Sequence, residues 1–203
     1  MSLTEAIREN LARVNERIQL AAHSVGRQGE NVKLIVVTKG HPIEVATAAI
    51  EAGVGDLGEN YVEQALPKIK ALKDRQIEWH MVGHVQSRKA RLVSEHFAWV
   101  HSVDRLKIAR RLSNFAAEFE RVIPILLECN VSQEESKFGW PAWDEMRWSE
   151  FAGEVASLME LLNLEVRGLM TMPPFDPDPE KSRPYFEKLR RLRDFLGDQF
   201  PHA

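Results

Sequence analysis

The segment VKLIVVTKGHP, residues 32–42, ends an apolar run of strand type with a lysine, Lys39. A lysine amine that has lost its proton can attack an aldehyde or a ketone and form a Schiff base. Free lysine is almost wholly protonated at neutral pH, because its pKa is about 10.4, and burial favours the neutral amine. We therefore expect a buried Schiff-base lysine at this position. The alternative is a lysine that snorkels to the strand end or pairs with a carboxylate.

Polar or small residues stand at the ends of several other apolar runs. Parallel α/β barrels build their sites from the carboxyl ends of many strands. Together with Lys39, the residues at such positions are Asn60, His80 with Gly83, Ser102, Asn130 and Met170. We expect these residues to line one site.

Each of these candidates also has a structural alternative. Asn60 in GENYVEQ could bind a ligand or cap the helix that follows it. His80 lies inside a strand pattern and could be a satisfied core residue. Met170 could belong to the core or form a soft wall against a flat ring. Lys137 in ESKFG is interpreted as a solvated loop residue.

Composition and charge narrow the class of partner. The formal net charge of −3 offers no general attraction to nucleic acid or to an anionic membrane, so a small molecule is the expected ligand. The single cysteine, Cys129, excludes an intramolecular disulfide and fits a reducing, cytoplasmic compartment. The seven histidines show no metal-ligand spacing, and no metal site is predicted. The N-terminus reads neither as a signal peptide nor as a membrane span.

Strand and helix patterns alternate along the whole chain. The spacing of the apolar residues predicts an amphipathic first helix from Leu3 to about Gly26 and a last helix with the stripe Tyr185, Leu189, Leu192 and Leu196. Asp104 is predicted to cap a helix that runs to about Phe119. The six predicted strands cover residues 32–38, 56–60, 78–83, 99–103, 122–131 and 164–172.

This alternation is typical of a parallel α/β protein, either an open sheet or a barrel. A glycine-rich phosphate fingerprint does not follow the first strand, and the candidate residues lie at many strand ends. Both features favour the barrel. A closed barrel of this type has eight strands, and six are predicted here. We therefore expect the last strands of the barrel to be missing from the C-terminal end of this sequence.

Six motifs together resemble, in order and spacing, the pyridoxal phosphate homeostasis protein family. They are VVTKGHP, LGENYVEQALPK, WHMVGHVQSRKAR, HSVDRLKIARRL, ECNVSQEESKFG and VRGLMTMPP. The resemblance implies a single (β/α)8 TIM barrel over residues 1–203, similar to the barrel domain of alanine racemase. It implies that Lys39 forms an internal aldimine with pyridoxal 5'-phosphate (PLP). It places Asn60 and His80 beside the cofactor ring, with Gly83 and Met170 nearby.

The resemblance also implies a function without turnover. Family members bind PLP and act in the balance of vitamin B6 and of amino and keto acids, and apo forms of PLP enzymes are candidate acceptors. A monomer is expected. An amino acid racemase of the same barrel class is the alternative, but such enzymes add a second domain and a catalytic tyrosine. Tyr61 and Tyr185, the only tyrosines, both fall on predicted helices. A Schiff-base aldolase is a third candidate.

One departure from the family pattern concerns the phosphate. The family continues into a seventh strand with an SMGMS type motif and an eighth with a VRIG type motif, which supply the phosphate cradle and an arginine near the ring nitrogen. Neither motif occurs in these 203 residues. We therefore expect a barrel that lacks its last two strands here, and we favour a natural tail beyond this sequence.

Overall fold

The computed structural model describes residues 1–201, in which helices alternate with parallel strands. The chain forms two compact units, Met1–His80 and a second unit that starts at Met81. The assignment of residues 1–203 to one domain stays a prediction.

The first unit begins with a long helix, and its strands follow the order β1-β2-β3. β1 and β2 pair in parallel, with Val36 opposite Leu57 and Val37 opposite Gly58. The core between sheet and helices contains small alanines of α2 together with Leu57 and Val62. The elements are α1 (Leu3–His23), β1 (Val36–Val37), α2 (Ile43–Glu51), β2 (Asp56–Glu59), α3 (Val62–Ala71) and β3 (Glu78–Met81).

In the second unit the central strand is β5, which pairs with β4 on one side and with β7 on the other, both in parallel. Ile123, Ile125 and Leu127 share one face of this strand and are fully buried, whereas Pro124, Leu126 and Glu128 on the other face are half-buried. The elements are α4 (Ala90–His96), β4 (Trp99–Val103), α5 (Leu106–Glu118), β5 (Ile123–Asn130), β6 (Trp140–Pro141), α6 (Trp148–Met159), β7 (Leu164–Met170) and α7 (Arg183–Gln199).

The six predicted strands are all present, although several details differ from the prediction. β1 contains only two of the seven residues expected, although the amide of Thr38 still bonds to the carbonyl of Gly58 at 2.9 Å. The additional strand β6 was not predicted, because Pro141 has no backbone N–H to donate to a neighbouring strand and proline argues against a strand. Asp104 is not the cap of α5: Arg105 occupies the N-cap position, and the carboxylate of Asp104 pairs with the Arg105 guanidinium and lies 2.9 Å from His84 Nδ1.

No helix within residues 1–201 combines the length and the apolar character that crossing a bilayer requires.

Gly139 lies directly against the end of β5, and this contact generates a first prediction. A Cβ atom at Gly139 would lie 2.8 Å from both the amide nitrogen of Asn130 and the carbonyl oxygen of Glu128, and φ there is 109°. We expect Gly139→Ala to lower the free energy of unfolding by roughly 2 kcal/mol or more.

Gly153, inside α6, is the matched control because a Cβ atom there meets nothing within 4 Å. Gly153→Ala should be neutral or stabilising by about 0.5–1 kcal/mol, since alanine favours the helix. Urea unfolding of both variants measures the difference. Equal stability of the two variants would show that Gly139 has room for a side chain.

Candidate functional site

Lys39 lies at the second position of a tight turn that follows β1. The carbonyl oxygen of Thr38 accepts a hydrogen bond from the amide of His41 at 3.1 Å, which closes the four-residue turn. Gly40 occupies the third position with φ 74°, the conformation that a type II turn requires and that favours glycine. The amide of Gly40 also donates to Gln64 Oε1 at 3.3 Å. The turn therefore presents the Lys39 side chain at the carboxyl end of β1.

Lys39 is exposed, so the prediction that it would be buried is wrong. The reason is its place at the tip of a tight turn beyond a two-residue strand. The buried lysine of this unit is Lys68 on α3, which is 5% exposed. An exposed amine is open to a carbonyl compound that arrives from solvent.

A buried polar network holds the residue directly before Lys39. Lys68 Nζ donates to the carbonyl oxygen of Thr38 at 2.8 Å and to Glu59 Oε1 at 2.7 Å. The hydroxyl of Thr38 donates to the same Glu59 oxygen at 2.7 Å. Glu59 is fully buried, and its Oε2 has no hydrogen-bond partner among the described residues. The buried residues Glu59 and Lys68 therefore hold the side chain and the backbone of Thr38, respectively.

Sequence reasoning missed this network. Glu59 and Lys68 both occur in LGENYVEQALPK, but they are nine residues apart and the second lies on a helix. A lysine in a predicted helix is usually assigned to the solvent-exposed face. Only the fold shows that the side chain of Lys68 is buried. The available signal was Glu59, an acid at the buried end of a strand.

Asn60 directly follows β2 and is half-buried. The prediction that it caps the next helix is wrong, because Tyr61 occupies the N-cap position of α3 and no side chain caps that end. Asn60 stands at the carboxyl end of β2, the strand that pairs with β1, and so lies at the same end of the strands as Lys39. Its role as a ligand-binding amide stays a prediction.

His80 on β3 is 1% exposed, and its Nε2 lies 2.9 Å from Asp56 Oδ1. Burial lowers the pKa of His80 more than the hydrogen bond to Asp56 raises it, so the imidazole is neutral at pH 7. Asp56 is the first residue of β2, whereas Asn60 follows its last. This contact directs Nε2 of His80 to the amino end of the sheet and favours the core-residue alternative. Contact between His80 and a cofactor ring stays a prediction.

Asp56, His80 and Glu78 place ligand atoms within 4.8 Å of one another, as a metal site would. Lys33, however, already pairs with both carboxylates: its Nζ lies 2.9 Å from Asp56 Oδ1 and 2.8 Å from Glu78 Oε2. Burial acts to raise the pKa of Asp56, but the hydrogen bonds from Lys33 and His80 outweigh it and lower that pKa. The cation that balances these acids is therefore the lysine of the chain.

The remaining candidates lie in the second unit. The carbonyl oxygen of Gly83 accepts a hydrogen bond from the hydroxyl of Ser102 at 2.5 Å. Met170 is the last residue of β7, is half-buried and pairs with Glu128. Asn130 organises the loop after β5, because its side-chain oxygen accepts from the amides of Ser132 and Gln133 at 3.2 and 3.1 Å. Ser102 and Asn130 therefore have structural contacts, and the assignment of Gly83 and Met170 to a cofactor stays a prediction.

A small cavity opens at the end of β5 within the second unit. It has a volume of about 130 Å³ and is lined by Glu128, Asn130, Lys137, Phe138 and Met172, among others. Lys137 is not the solvated residue that was predicted, because its Nζ donates to the carbonyl oxygen of Met172 at 3.0 Å and pairs with Glu134. Burial, helped by the nearby charge of Asp104, raises the pKa of Glu128 to about 7.

Three comparisons show which known proteins this chain resembles. Residues 4–202 match the family model "Alanine racemase, N-terminal domain". The pyridoxal phosphate homeostasis protein of Pseudomonas aeruginosa is 41% identical over 192 residues, which cover 95% of this chain and 80% of that protein. The chain belongs to the pyridoxal phosphate homeostasis protein family.

Solved structures show the fold of the family. PipY of Synechococcus elongatus with PLP bound has a TM-score of 0.80 and 31% identity over 96% of this chain and 84% of that one. The alanine racemase of Streptomyces coelicolor has a TM-score of 0.71 at 16% identity, over 97% of this chain and 49% of that one. The predicted family and the alanine racemase-like barrel class are thereby confirmed.

The raised pKa of Glu128 gives this family member a predictable dependence of stability on pH. The carboxyl group has a pKa of about 7 in the fold and an ordinary value of 4.5, so the folded state holds the proton more tightly. The stability that this provides is fully present below pH 4.5 and is lost as the pH rises through 7. Glu128→Gln should therefore gain stability relative to wild type across this interval, by on the order of 1 kcal/mol after solvent screening is allowed for.

Urea unfolding at several pH values between 4 and 8 measures this difference between variant and wild type. Glu135→Gln, a change at an exposed acid in the loop after β5, is the control and should run parallel to wild type. A constant difference between Glu128→Gln and wild type at all pH values would contradict the assignment.

Proposed function

We propose that this chain binds PLP through an internal aldimine on Lys39 and serves in vitamin B6 and amino and keto acid homeostasis without catalytic turnover. The proposal rests on the turn after β1. Its lysine, Lys39, has an exposed side chain, and the preceding residue, Thr38, is hydrogen-bonded to the buried Glu59 and Lys68. The family name and the PLP-bound structure of PipY support PLP as the ligand.

The residues of the first unit fit such a ligand. When Lys39 has lost a proton, its amine can add to the aldehyde carbon of PLP; a C=N bond forms and the carbonyl oxygen leaves as water. The reverse reaction needs only water or a second primary amine. Because Lys39 is exposed, either reagent can reach the bond. Exposure thus favours a carrier that holds the aldehyde reversibly and keeps it exchangeable.

Other parts of the proposal follow from this carrier role. Asn60, His80, Gly83 and Met170 are the further residues that we assign to the cofactor. Apo forms of PLP enzymes are the proposed acceptors, and we expect a monomer in the cytoplasm. These assignments rest on the family resemblance.

The direct test is a titration of the purified protein with PLP, followed by the absorbance band of the imine. We expect the band in wild type and its loss in Lys39→Ala, because the reacting amine is removed. Lys70→Ala is the matched control, since Lys70 is an exposed lysine of the same unit on α3, and it should keep the band. An undiminished band in Lys39→Ala would refute the assignment.

An amino acid racemase is the second candidate, because the matching family model is that of the alanine racemase N-terminal domain. Incubation of the PLP-loaded protein with L-alanine in D₂O distinguishes the two functions. A carrier without turnover leaves the Cα proton of alanine in place and forms no D-alanine above the level of free PLP. Racemisation that depends on Lys39 would replace the carrier proposal with an enzyme.

A further inference from the structure

We propose that the buried pair Glu59–Lys68 is a positioning device for Lys39: it clamps Thr38, and through it the turn that presents the reactive amine. This inference rests on the proposed function, in that it assigns a role in PLP binding to two residues that do not touch the ligand. Lys68 and Glu59 are positioning residues in this account and not catalytic ones.

Every polar group of Thr38 has a partner. Its amide donates to the carbonyl oxygen of Gly58 at 2.9 Å, and its hydroxyl donates to Glu59. Its carbonyl oxygen accepts from two donors, Lys68 Nζ at 2.8 Å and the amide of His41 at 3.1 Å. This carbonyl belongs to the peptide bond that joins Thr38 to Lys39. The backbone of Lys39 is therefore fixed although its side chain is exposed.

Burying the Glu59–Lys68 ion pair has a high desolvation cost. A buried ion pair often contributes no more to stability than apolar residues of the same size, because both charges must be removed from water. Glu59 Oε2 also lacks a hydrogen-bond partner among the described residues, which adds a further desolvation cost. Apolar residues at these two positions would fill the same space, but they would leave the carbonyl of Thr38 with the His41 amide alone. The bond from Lys68 to that carbonyl is what the charged pair adds.

The direction of the hydrogen bonds explains why the pair consists of these residue types. An ammonium has three protons, so Lys68 can bond to the carboxylate and to the carbonyl at the same time. A carboxylate oxygen can accept from two donors, here Lys68 Nζ and the hydroxyl of Thr38. Hydrogen bonds to charged groups are shorter and stronger than bonds between neutral groups, so these bonds restrict the turn more than neutral ones would. Lys39 is then presented in one orientation before any ligand arrives, so less order is lost on binding.

The test is the double variant Glu59→Gln/Lys68→Met, which removes both charges and leaves no buried charge without a partner. The side-chain oxygen of the introduced glutamine can still accept from the Thr38 hydroxyl, so the one bond that Thr38 itself loses is the bond from Lys68 to its carbonyl. The control is Glu165→Gln/Arg167→Met, which removes an ion pair whose side chains are about half exposed (52% and 54%).

Two readouts separate positioning from folding. In the unliganded protein, ¹⁵N relaxation should show that the amides of Lys39 and Gly40 are rigid in wild type, with order parameters of about 0.85. In the variant the same amides should be mobile, with order parameters of about 0.6 or below. In the PLP titration the variant should bind at least about tenfold more weakly, because the amine is no longer held in its productive orientation. The control should match wild type in both.

Rigid amides in the double variant, or mobile amides with unchanged PLP affinity, would overturn the clamp. If the double variant does not fold, Thr38→Val removes only the hydroxyl that bonds to Glu59, and Thr38→Ser restores it. Weaker PLP binding in Thr38→Val with recovery in Thr38→Ser supports the clamp, and equal binding in both refutes it. Failure of wild type to form an imine would sink the proposed function alone, since the relaxation measurement needs no ligand.

Discussion

The hydrogen bond from the buried ammonium of Lys68 to the carbonyl of Thr38 is the constraint on which the proposed site of the first unit depends. Lys68 on α3 places its charge at the end of β1 beside the carboxylate of Glu59, and lysines are rarely buried without such a partner. The strand itself is two residues long and could not define the following turn by its ladder bonds alone. Order at Lys39 thus comes from a side chain on another element.

The class of fold was predicted from the sequence and is confirmed, whereas Lys39 as the reactive residue stays a prediction. The contacts that surround Lys39 were not predicted. An apolar run that ends in a lysine made Lys39 a candidate, and the alternation of strand and helix patterns, with six motifs in order, predicted the barrel class. The exposure of Lys39 and the burial of Lys68 could not be predicted, because local pattern does not say which lysine the tertiary structure covers. The same holds for β6, whose two residues pair with Cys129 and Asn130 at the end of β5.

Exposure and fixation together are what a reversible carrier needs. A deeply buried imine would exchange slowly with water and with other amines, while a lysine on a mobile loop would bind weakly because its order must be created on binding. Lys39 combines an accessible side chain with a fixed backbone. Nε2 of His80, by contrast, is held by Asp56 at the other end of the strands.

The most direct test of this account is to locate the covalent bond. The wild-type protein is mixed with an equimolar amount of PLP and reduced with borohydride, which converts an imine into a stable amine, and its peptides are mapped by mass spectrometry. The account predicts one dominant phosphopyridoxyl adduct, on the peptide that contains Lys39. An adduct spread over the exposed lysines, or concentrated on another lysine, would contradict it.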